Sequence, residues 1–104
     1  MPLTNQQKKY FRQIGHDLQP VVTVAGNGLS EGVLTELERA LTDHELIKVK
    51  LVCEERSEKA ALIDAMCEQC KAELVNRIGH IALIYRAAEN PNPKLSNLVK
   101  HKPS

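Results

Sequence analysis

The sequence predicts an α/β domain with elements in the order α-β-α-β-α-β-β, a four-stranded mixed sheet packed with three helices. Three observations predict it. Two short apolar runs, 21–24 and 45–53, each lead into a stretch with helical spacing; the second of them, ELIKVKLVC, alternates with period two; and two further apolar runs meet at Gly79-His80 as a hairpin. Right-handed βαβ crossovers and an antiparallel last pair then complete one sheet with helices on it.

Thr4 opens the first helix, in which Leu3, Gln7, Phe11, Ile14 and Leu18 share one stripe while Lys8, Lys9 and Arg12 lie off it. Gly15 ends the periodicity, and Pro20 breaks the chain into the strand Val21–Val24. The loop Gly26-Asn27-Gly28 supports positive φ and close approach of another backbone, and Ser30 caps a helix over 30–43 whose Val33, Leu34, Leu37, Ala40 and Leu41 face inward. In the strand that follows, Ile47, Val49, Leu51 and Cys53 take one face and Leu46, Lys48, Lys50 and Val52 the other. Ser57 is the expected cap of a third helix running to about Lys71, and the hairpin 74–78/81–86 is closed by a type II′ turn with Gly79 first. Packed structure is expected over 1–86. Residues 87–104, containing Asn90-Pro91-Asn92-Pro93 and lacking apolar periodicity, are expected to form a flexible basic tail.

A chain of 104 residues suits one domain, and no run approaches the roughly 18 apolar residues of a membrane span or the pattern of a secretory leader. A cytoplasmic location is therefore expected. The net charge is only +1, but the charges segregate: both ends of the sequence are basic, the helix 30–43 and the region 54–73 are mostly acidic, and Lys48 and Lys50 form a basic island between them. Phe11, Tyr10 and Tyr85 are the only aromatic residues, which leaves little for a base-stacking platform.

Strand, glycine loop and helix start together make a corner whose backbone amides suit a phosphate oxygen. The same residues admit other readings. Gly28-Leu29-Ser30-Glu31-Gly32 matches the nucleophile elbow G-x-S-x-G, yet fewer than thirty residues precede it and Ser30 is accounted for as a cap. The spacing Gly26-x-Gly28-x-x-x-Gly32 is one residue too long for a dinucleotide fingerprint, basic Lys48 stands where an acid should hold ribose, and no Gly-Lys-Ser/Thr follows for a P-loop. Cys67-x-x-Cys70 falls late on the apolar stripe of a helix, unlike a redox pair, and one knuckle does not make a zinc ribbon. No metal, cofactor or small-molecule substrate is expected.

With NGLSEGVL at the loop, HELIKVK in the second strand and RIGHIALIYR at the end, residues 3–86 resemble the bacterial YhbY proteins, which are stand-alone CRM domains. The resemblance implies a fold similar to the C-terminal domain of translation initiation factor three and a non-enzymatic RNA-binding role on precursors of the large ribosomal subunit. The family's GxxG loop maps onto Ala25-Gly26-Asn27-Gly28, with Ala25 in place of the first glycine. Ala tolerates positive φ poorly, so either Gly26 absorbs the unusual backbone or the loop approaches RNA differently. The expected RNA-binding residues are Ala25, Gly26, Asn27 and Gly28 at the loop, Lys8, Lys9 and Arg12 on the first helix, and Lys48, Lys50 and Arg86 if their faces adjoin. The expected partner is structured ribosomal RNA, bound by a monomer. The alternative is a docking module whose acidic helices meet a basic ribosomal protein.

Overall fold

The computed structural model describes residues 3–25, 28–53 and 55–100. Its elements are α1 (Asn5–Gly15), β1 (Pro20–Val24), α2 (Glu31–His44), β2 (Leu46–Leu51), α3 (Arg56–Cys70), β3 (Glu73–Ile78), β4 (Ile81–Tyr85) and α4 (Asn97–Lys100). The strands form one mixed sheet in the order β1-β2-β4-β3, with β1 parallel to β2 and the other neighbours antiparallel.

The period-two alternation of β2 divides the molecule into layers. Ile47, Val49 and Leu51 join Val22, Val24, Ala82 and Ile84 in a core closed by Leu37 and Leu41 of α2 and Ile63, Met66 and Cys70 of α3. Leu46 points the other way and, with Val75 and Leu83, packs under Phe11 and Ile14 of α1. Thus α2 and α3 lie on one face and α1 on the other. Each helix start has its own local cause. Thr4 and Gln7 form a reciprocal capping box, and Ser30 Oγ accepts the Val33 N–H at 3.2 Å. The third helix departs from expectation: it begins at Arg56 behind Glu55, which makes no side-chain capping bond, so Ser57 is an exposed residue of the first turn. Gly79 alone of the hairpin turn takes positive φ, +57°, as a II′ turn requires.

A flexible tail is expected over 87–104; of its residues, Ala88, Ser96, Asn97 and Leu98 are tied to the domain. Glu45, at the end of α2, is 5% exposed with φ +62°; its carboxylate accepts Ala88 N–H at 3.0 Å and the hydroxyl of fully buried Ser96 at 2.7 Å. Asn97 Nδ2 donates to Leu46 O at 2.6 Å, and Leu98 packs against the core beneath α1. These anchors are polar groups at irregular spacing, so apolar periodicity carries no trace of them.

Cys70 is buried and Cys67 half-buried. Burial, and then the neighbouring charges of Asp64, Cys70 and Glu73, push the Cys67 thiol up to about 11, the opposite of what a reactive thiolate or a metal ligand needs.

Candidate nucleic-acid interface

On the α1 side of the sheet, β1, β2 and β4 run out beyond the helix. Lys48 pairs in register with Leu83 and with Pro20, and Lys50 with Ile81 and Thr23, so both lysines stand on the uncovered part of the face that α1 partly covers. Lys8, Arg12 and His16, four residues apart, line one flank of α1, with exposed Lys9 beside them. The C-terminal turns of that flank meet the sheet at a cavity of about 180 Å³ lined by Arg12, His16, Lys48, Asn76, Ile78 and Leu83, among others. No carboxylate lines it, and the one ion pair among the described residues is elsewhere. Like charges gathered without a counter-ion are costly unless an anion completes them.

The glycine loop sits at the end of the sheet to which Lys50 leads. Val52 N–H donates to Val24 O and Leu51 N–H to His80 O, so the loop after β1, the end of β2 and the hairpin tip are gathered at the carboxyl ends of the parallel strands. Ala25 keeps negative φ, so alanine causes no strain at position 25, and among the described residues of the loop Gly28 is left-handed, at +74°. A Cβ added at Gly28 would meet open space. Its amide, however, donates to Ala25 O at 2.9 Å, so Gly28 offers close approach and not a free N–H. Gly26 and Asn27 lie outside the described residues. On the α3 side, Ala25 and Gly28 border an open groove of about 640 Å³ shared with Val52, Leu62, Glu55 and Glu58. A phosphate approaching the loop would be repelled from that side and favoured from the lysine side.

Arg86 does not join the other cations. It lies at the opposite end of the sheet, where its backbone N–H donates to Glu45 O, and its guanidinium is spent on α2 and the end of α3. Nη1 reaches Glu38 Oε2 at 2.6 Å and Cys70 O at 3.1 Å; Nη2 reaches Glu38 O at 3.2 Å and Thr42 Oγ1 at 2.9 Å. Its placement has a simple cause: Arg86 continues the alternation of Ala82 and Ile84, which face the helical layer carrying Glu38, while Leu83 and Tyr85 face α1. Sequence reasoning also missed His16, Asn76 and Ile78. Only His16 left a signal there, the four-residue step from Lys8 through Arg12.

Residues 3–86 match the CRS1 / YhbY (CRM) domain. The chain is 58% identical over 98 residues to a Pseudomonas aeruginosa protein named "Probable RNA-binding protein", covering 94% of each chain. It is 45% identical over 93 residues to a Haemophilus influenzae protein named "RNA-binding protein", covering 89% of this chain and 94% of that one. The solution structure of a hypothetical Staphylococcus aureus protein superposes with a TM-score of 0.76 at 29% identity, covering 91% of this chain and 98% of that one.

Proposed function

The chain belongs to the CRS1/YhbY (CRM) domain family, and we propose that it is an RNA-binding protein that acts on structured ribosomal RNA during assembly of the large ribosomal subunit. The observation that carries the reading is the meeting of Arg12 and Lys48 at one cavity free of carboxylates, with Lys50 beyond them and Lys8 and Lys9 behind, on the side of the sheet away from acidic α2 and α3. Cations spaced along a helix flank and an open sheet face hold successive phosphates, and the glycine loop lets a backbone come close at the end of that track. Recognition is then by backbone and shape. Catalysis has no part in it: the Ser30 hydroxyl that an esterase would use is engaged as a helix cap. The protein acts as a cytoplasmic monomer in this reading.

The test is sedimentation of tagged protein through a sucrose gradient of cell lysate at low and moderate salt, beside folded variants Lys8/Lys9/Arg12→Glu and Lys48/Lys50→Glu. Co-migration with large-subunit precursors that both variants lose is the expected result. Retention of co-migration by both would remove the basic face from the mechanism. The groove lined by Glu55, Glu58, Val52 and Leu62 favours a second reading, docking of a basic protein segment; under it, Glu58→Lys abolishes co-migration and the lysine variants do not.

A further inference from the structure

We infer that the cavity between α1 and the hairpin receives a single unpaired nucleobase, bulged or flipped from otherwise structured RNA, while Arg12 and Lys48 hold the phosphates on either side; the inference rests on the RNA reading above. The cavity's volume, about 180 Å³, lies below the ~300–1,000 Å³ of pockets that enclose a drug-sized ligand, so it suits a fragment such as one base. Its walls combine two chemistries. Ile78, Ile81 and Leu83 supply apolar surface for the faces of a ring, and the Asn76 amide supplies both a donor and acceptors for a base edge.

Ile78 is the most telling of these residues. It is 71% exposed at the lip of the cavity, an apolar side chain held beside cations where solvent alone gains nothing from it. The Phe and Tyr rings do not line this cavity. Phe11 packs on Tyr85 with centroids 4.8 Å apart, and Tyr10 lies 6.0 Å from Phe11. Any base held in this cavity therefore rests on aliphatic walls and on the imidazole of His16. The absence of carboxylates from the lining excludes a cationic guest, and the two flanking cations favour a guest attached to phosphates.

The experiment compares three RNA hairpins at one low salt concentration: uninterrupted, with one bulged adenosine, and with an abasic ribose at the bulge. Affinities are read by fluorescence anisotropy and contacts by NMR of methyl-labelled protein. The bulged hairpin is expected to bind about tenfold more tightly than the other two and alone to shift the methyl signals of Ile78, Ile81 and Leu83. Ile78→Ala, at an exposed position, and Asn76→Leu should each remove most of the preference for the bulged over the uninterrupted hairpin. Equal binding of all three hairpins, or a preference untouched in both variants, would overturn the base pocket and leave RNA binding standing. Failure of every hairpin to bind would overturn both. Adenosine monophosphate is the remaining probe; if it shifts the same methyls with an affinity equal to the bulged RNA's, the cavity is a free-nucleotide site and the inference is wrong.

Discussion

Replacing Arg86 by Gln should cost stability and leave RNA affinity alone, the reverse of what its basic character suggests. The magnitude follows from its four contacts. Glu38 is half exposed, so the ion pair is screened and contributes only about 0.2–1 kcal/mol. The bonds to Cys70 O, Glu38 O and Thr42 Oγ1 are each worth about 0.5–1.5 kcal/mol, at the low end where the acceptors can turn to water. Glutamine can retain one of them. A net loss of about 2 kcal/mol is expected, as a lower urea midpoint at unchanged denaturant slope. In the same preparation, affinity for a structured RNA hairpin should equal that of the parent, while Arg12→Gln weakens it. A stability loss below about 0.5 kcal/mol, the range of ordinary surface changes, would refute the structural role. A fall in affinity matching that of Arg12→Gln would return Arg86 to the interface.

Three further outcomes are expected. Neutralising Arg12 and Lys48 together should make the dependence of log affinity on log salt shallower by about 1.4–1.8, since each released counter-ion contributes about 0.7–0.9; an unchanged slope would mean that neither touches phosphate. Ser96→Ala removes a donor to the buried Glu45 carboxylate and should cost about 1.5–3 kcal/mol in chemical denaturation, whereas a disordered tail would give no change. Above neutral pH, the folded state holds the Cys67 proton up to about 11 while the unfolded chain releases it near 9.0, so the unfolded state binds fewer protons and stability should fall as pH rises between those values. Cys70 and Tyr85, both pushed up chiefly by burial, act in the same direction, and Cys67→Ala should flatten the decline in urea midpoint.

Most of the fold was legible because it rests on periodicity. The alternation in ELIKVKLVC assigned Leu46, Lys48 and Lys50 to one face and Ile47, Val49 and Leu51 to the other, and the sheet keeps that division. Capping by Thr4 and Ser30 was equally local. What escaped was set by contacts distant in sequence. Nothing adjacent to Arg86 shows that Glu38 and Thr42 will lie beside it, and Ser96 depends on Glu45, 51 residues away. The site divides likewise. Helix and strand spacing put the cations on their faces, but that Arg12 and Lys48 border one cavity with Asn76 and Ile78 follows from how α1 crosses the sheet.

The sheet also separates charge. Glu31, Glu36, Glu38, Asp43, Glu58, Asp64 and Glu68 outweigh Arg39, Arg56 and Lys59 on the helices of one layer, and Lys8, Lys9, Arg12, Lys48 and Lys50 stand on the other side, in a molecule whose net charge is +1. Such a body has little overall attraction for a polyanion but a large turning moment in its field. Approach from the acidic side is slowed and approach from the basic side hastened, so the domain is rotated toward its productive orientation before any contact forms. The kinetic signature would be an association rate that drops with added salt more than its nearly balanced charge implies.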